Sequence, residues 1–311
     1  MHNALADPPP LAGSIASHVD LGLPSIEGFH GATSPADIVQ GDHTIRIWIS
    51  RDGVRIDDIL SLAQRSLFVT ATDAWAWDSD AFTAYHLGPF SKASPPREPA
   101  SPLPSVDPLE MARRALAAID PTTVVGLAEP RSVAGRGAYV LRLEPRTERT
   151  LVGAIEIAVD SERRVPLRVS VFARGATKPA VSVGFTSVHF GPVNPAVYRF
   201  TPPPGASIKQ TPISSFRHGS NESHEAPAST PGARTKEIDS VRTFGTGWES
   251  IVAVRMSALP ATSSGSPNLR SLLPYSGSLF SVRLVERGDR AWIVGGFVPQ
   301  SALQLVESQL Q

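Results

Sequence analysis

The eight histidines, His2, His18, His30, His43, His86, His189, His218 and His224, are the first test of metal or acid–base chemistry. A helical metal site needs two ligands three or four residues apart on one face, and no HExxH pattern occurs. The densest set, His218 with Glu222, His224 and Glu225, falls in a Ser-, Asn- and Pro-rich tract. There a solvated linker is a simpler reading than a ligand shell. The Asn221-Glu222-Ser223 acceptor pattern arises easily in such a tract. Asp57-Asp58, and Asp78 with Asp80, would suit general acid–base work, yet they read as residues of turns or solvated faces. Gly135-Arg136-Gly137 lacks the third glycine of a phosphate cradle and predicts a tight turn. There is no cysteine, which removes thiolate nucleophiles, thiolate metal sites and disulfides. Neither a GxSxG elbow nor a Walker loop occurs. The expectation is a protein that is not an enzyme, with no metal and no cofactor.

The elements around these residues are mostly strands. Residues 44–50 place Ile45, Ile47 and Ile49 at every second position, the period of a half-buried strand. Tyr139, Leu141 and Leu143 alternate with Arg142 and Glu144, and Leu151, Ile155, Ile157 and Val159 share a face. Leu167, Val169 and Val171 repeat the device, as do Val181, Val183 and Phe185 over 180–190. Short turn-rich links predict an antiparallel, meandering sheet beginning near Gly13–Leu21. Asp107-Pro108 predicts a capped helix over 107–119. The stretches 91–106 and 209–236 read as linkers. Beyond the second, strands at 249–257, 278–286 and 290–297 and a helix at 299–309 predict a small β-β-β-α unit. A unit that short is expected to pack on the larger sheet.

With 29 basic and 29 acidic residues, there is no bulk electrostatic case for nucleic acid or an anionic membrane. No apolar run reaches the ~20 residues of a bilayer-spanning helix. The first twelve residues, with Asp7 and three prolines among them, do not form a secretory signal peptide.

Three stretches together resemble the LolA/LolB/RseB (MucB) lipoprotein-carrier-like family of the bacterial envelope. They are Gly41-Asp42-His43-Thr44-Ile45-Arg46-Ile47-Trp48-Ile49-Ser50-Arg51, then Asp73-Ala74-Trp75-Ala76-Trp77-Asp78, and Val197-Tyr198-Arg199-Phe200-Thr201-Pro202-Pro203-Pro204-Gly205. The third, similar to the family's terminal phe-x-phe-x-pro-pro-x-gly signature, is the most specific. The pattern over 151–205 resembles the actinobacterial LolA-like branch. Phe244-Gly245-Thr246-Gly247-Trp248, the 278–286 segment and Trp292 to Pro299 are similar in layout to the small C-terminal domain of MucB/RseB.

The resemblance implies a curved, open half-barrel with a few covering helices, in the α+β, mostly antiparallel β class. Residues 1–11 would be a tail, 12–208 the lipid-binding half-barrel, 209–236 a linker and 237–311 the small unit. The ligands implied are lipid or lipoprotein acyl chains, and the compartment the extracytoplasmic envelope, with the signal peptide and the family's first helix lost to a late start. The alternative is a regulator of an anti-sigma factor, with 237–311 meeting a membrane-anchored partner. Trp48, Trp75, Trp77, Tyr139, Leu141, Ile155, Ile157, Val169, Val171 and Phe185 are the expected pocket lining, although plain core is the blander reading of each. Arg51 occupies the place of the family's lid-latch arginine.

Overall fold

The computed structural model describes residues 9–21, 41–88, 107–210, 238–256, 273–288 and 290–310. The larger sheet has twelve strands: β1 (Leu11–Val19), β2 (Gly41–Ser50), β3 (Gly53–Ile59), β4 (Gln64–Thr70), β5 (Ala74–Asp78), β6 (Thr83–His86), β7 (Thr123–Val133), β8 (Arg136–Pro145), β9 (Val152–Asp160), β10 (Pro166–Ala173), β11 (Val181–Phe190) and β12 (Ser207–Gln210). Their order is β12-β6-β5-β4-β3-β2-β1-β11-β10-β9-β8-β7, so the curved sheet stays open, with β12 and β7 at its edges. Every pairing is antiparallel except β12 with β6. The first strand begins at Leu11, fully buried, inside the stretch expected to be a tail. The hairpin between β7 and β8 turns on Ala134 (φ 51°) and Gly135 (φ 74°), the left-handed pair that matches the twist of two adjoining strands.

Among the described residues, one helix, α1 (Pro108–Ala117), lies between β6 and β7. Asp107 caps it by accepting from the Leu109 N–H at 2.9 Å, and Pro108 sits in its first turn, where a missing N–H does no harm. Its buried residues are Pro108, Leu109 and Ala112. Leu109 packs into a cluster with Ile45 and Phe185 on one side, and Ala112 into one with Ile157 and Val169 on the other. The face that carries α1 is here the inner face.

The second sheet runs β13 (Ile238–Phe244), β14 (Ile251–Met256), β17 (Arg290–Gly296), β16 (Ser281–Arg287) and β15 (Tyr275–Ser276). Helix α2 (Gln300–Glu307) covers one side, burying Leu303 and Val306 against Ile251, Trp292 and Val294. The unit is thus five-stranded rather than three-stranded, because β13 and the two-residue β15 carry too little alternation to read.

The two sheets touch. Leu279 is buried in a cluster with Leu21, Val152, Ala173 and Ala180, and Trp248, Phe280, Ile155 and Val171 pack against it. Phe297 O accepts from Leu151 N–H and from Thr150 Oγ1, each at 2.7 Å. Trp248 Nε1 donates to Thr123 Oγ1 at 2.9 Å. At Gly247, with φ 55°, an added Cβ would stand 2.5 Å from Asp120 Oδ2, so the approach there leaves room for hydrogen alone.

Candidate functional site: the inner face and its reverse

The strand registers set out the inner face in rows. In one, Ser17, Val183, Val169, Ile157, Leu141 and Leu127 stand opposite one another in sequence across six strands. Beside it run Val19, Val181, Val171, Ile155, Leu143 and Val125. Phe185 pairs with Ile15 on the same face. Leu141, Ile155, Ile157, Val169, Val171 and Phe185, expected to line one wall, are therefore neighbours. Ile157, Val169 and Phe185 are fully buried, and α1 covers them. Val171 and Ile155 meet the docked C-terminal unit. Tyr139 lies one row further on, pairs with Val159 and is exposed.

On the other half of the sheet the rows continue through Leu11, Ile49, Val54, Val69 and Ala74, and through Gly13, Ile47, Ile56, Leu67, Ala76 and Tyr85. Both are apolar apart from the tyrosine hydroxyl. The next row changes character: Ile15, Ile45, Asp58, Arg65, Asp78, Thr83. Beyond it, Ser17 pairs with His43. The acidic pair Asp57-Asp58, expected in a turn or on a solvated face, is instead buried within β3, its members on opposite faces. Burial pushes the Asp58 carboxyl above its ordinary value, while the charges of His43 and Arg65 pull it back.

Trp48, Trp75 and Trp77 stand on the reverse, outer face. Trp48 pairs with Arg55, Arg55 with Phe68, and Phe68 with Trp75, so all four share that side. They cannot line a pocket with Leu141 or Ile157, because side chains on the two faces of a sheet point apart. The segment after β11 crosses them. Its 3-10 turn, Pro195–Tyr198, is capped by Asn194, and Tyr198 is buried over Gly53, where an added Cβ would come within 3.0 Å of the tyrosine ring. Phe200 then stacks on Phe68 at 4.7 Å between centroids, and lies 5.7 Å from Trp75 and 5.9 Å from Trp77. The Phe200 signature is thus a strap across an aromatic plate.

Arg51 is exposed in the β2–β3 turn. The arginine engaged nearby is Arg55, which the sequence reading passed over. Its guanidinium lies 4.9 Å from the Trp48 ring and 4.8 Å from the Phe68 ring, and donates to both oxygens of Asp57 and to Val197 O. The i, i+2 spacing of Arg55 and Asp57, on one side of a strand, was the available signal.

At the mouth of α1, burial pushes the Asp107 carboxyl up to about 6, against the lowering effect of its bond from the Leu109 N–H. Among the described residues no group of three His, Asp or Glu could hold a metal ion. The His218 set lies outside the described residues. No helix among the described residues is long and apolar enough to cross a membrane.

No family model matches the sequence, and no curated protein does. Among solved structures, the chain is similar to MucB in complex with MucA(peri), with a TM-score of 0.47 and 13% identity over 98% of this chain and 94% of that one. The MucA/MucB complex of Pseudomonas aeruginosa gives a TM-score of 0.41 at 13% identity, over 98% and 93%. A LolA superfamily protein of Nitrosomonas europaea gives 0.24 at 8% identity, over 62% of this chain and 90% of that one.

Proposed function

We propose that the protein is a non-enzymatic binder of lipid or lipoprotein acyl chains that works in the bacterial cell envelope. The observation that carries this reading is the inner face itself. Its apolar rows run across a twelve-stranded sheet, and the one helix on it among the described residues is the ten-residue α1, with three buried side chains. A helix with so small a footprint is a low-stability element that a competing apolar ligand can displace. Each methylene taken out of water contributes about 0.8 kcal/mol, so an acyl chain lying where Leu109 and Ala112 now pack compensates for their release. The C-terminal unit, seated on Ile155 and Val171, closes one end of the face.

A second reading is a regulator that contacts a membrane-anchored partner through residues 237–311. It is favoured by the side of the small sheet away from α2, where Val241, Val254, Ile293 and Leu284 form an apolar row and Val241 is 59% exposed.

The test of the first reading is native mass spectrometry of the purified protein, joined to titration of the delipidated chain with a fluorescent fatty acid. Co-purifying lipid and saturable uptake are expected. Absence of both overturns the proposal. A pull-down comparing the whole chain with one ending at Gln210 tests the second reading, which fails if partner recovery is equal.

A further inference from the structure

Two polar atoms on the inner face have no hydrogen-bond partner among the described residues, although their own residues are more than nine-tenths buried: Ser17 Oγ, with the residue 2% exposed, and Asp58 Oδ1, at 8%. Buried polar groups are almost always paired, and an orphan that persists calls for an explanation such as a missing ligand. Both belong to one side of one sheet and to one end of it. Ser17 pairs with His43, and Ile45, two residues on, pairs with Asp58. Above them the rows through Ile47, Ile56 and Leu67 and through Ile49, Val54 and Val69 are apolar. The inner face of β1 to β5 is thus amphipathic along the strands, apolar at one end and polar at the other.

From this we infer that the site takes an acyl lipid with an uncharged, hydroxyl-bearing head, the chain along the two apolar rows and the hydroxyls on Asp58 and Ser17. The inference rests on the acyl-binding reading and adds the polarity and head chemistry of the ligand. Charge selects the head. Asp58, Arg65 and Asp78 alternate in sign across three strands, and Arg65 Nε is 3.4 Å from Asp78 Oδ2. A phosphate drawn to Arg65 meets two carboxylates, and an ammonium drawn to Asp58 meets Arg65 and His43. A neutral donor meets neither penalty and gives Asp58 Oδ1 the hydrogen bond it lacks. Two strand intervals and two residues along the strand separate the Ser17 and Asp58 backbones by about 12 Å, so a small head bonds one of them at a time and a larger polyhydroxyl head bonds both.

The experiment uses the whole delipidated chain carrying a fluorescent fatty acid, displaced by 1-palmitoylglycerol, methyl palmitate or palmitoyl lysophosphatidic acid. The glycerol ester is expected to displace the probe at about tenfold lower concentration than the methyl ester of equal chain length, the effect of one to two hydrogen bonds. Asp58→Leu and Ser17→Ala should each shrink that preference, whereas Asp58→Asn, which keeps an acceptor, should retain most of it. Ser17→Ala is a small change at a strand position and serves should Asp58→Leu not fold. Failure of every lipid to displace, with no probe bound, overturns the acyl-binding reading itself. Equal displacement by the two esters, or a preference that survives both substitutions, overturns the head site alone. Preference for the lysophosphatidic acid overturns it in favour of an anion held by Arg65.

Discussion

Phe200 stacks on Phe68 at 4.7 Å with 24° between the ring planes, although 132 residues separate them in the chain. That contact fastens the segment after β11 onto the outer face of β4 and β5. It also explains why Trp75 and Trp77 stand on that face: their rings complete the plate on which Phe200 rests.

Replacing Phe200 with alanine should remove the anchor. The ring is half-buried, so the loss is expected at about 2–3 kcal/mol, below the roughly 3–5 kcal/mol of a fully buried aromatic-to-alanine change. Chemical denaturation monitored by tryptophan fluorescence measures it. Unchanged stability would mean that Tyr198, over Gly53, holds the strap alone. Acyl-chain uptake should persist, because the substitution lies on the face opposite the proposed cup.

Asp107 gives a pH dependence of determinate sign. Its folded pKa, about 6, lies above the ordinary carboxyl value of 3.8, so the folded chain holds a proton between those values that the unfolded chain has released. Its contribution to stability is therefore full below about pH 4 and lost as pH rises through 6, by up to roughly 3 kcal/mol. Asp107→Asn keeps an oxygen for the Leu109 N–H and cannot ionise. The difference between wild-type and variant unfolding free energies should thus be small at pH 4 and favour the variant at pH 7.5. A flat difference across that range would show that Asp107 is not buried as a charge.

Leu279 ties the small unit to the large sheet. It is 2% exposed among Leu21, Val152, Ala173 and Ala180. Leu279→Ala should cost about 2–4 kcal/mol at this joint. Differential scanning calorimetry should then resolve two transitions, or a single transition shifted down with earlier proteolytic release of the C-terminal unit. One cooperative transition at the wild-type temperature would mean that the backbone bonds to Phe297 O hold the joint unaided.

Much of the fold was legible because alternation is a local property. The isoleucines at 45, 47 and 49 had to share one side of a strand and Trp48 had to take the other. The cap Asp107 and the proline after it marked α1 for the same reason: the bonds involved close within a few residues. Strands β3 and β4 were less visible, since buried Asp57, Asp58 and Ser66 interrupt their apolar pattern.

The sequence by itself determined which residues within each strand face the same way and where the chain turns. The tertiary structure alone decided which way each strand's apolar side points. Period two fixes faces only relative to one strand, and a shift of one residue in pairing exchanges them all. Register therefore placed Leu141, Ile157 and Val169 on the inner face with Phe185, and Trp48, Trp75 and Trp77 on the outer face under Phe200. It also placed Asp58 and Ser17, which the sequence scatters over 41 positions, two strands apart at the polar end of one surface.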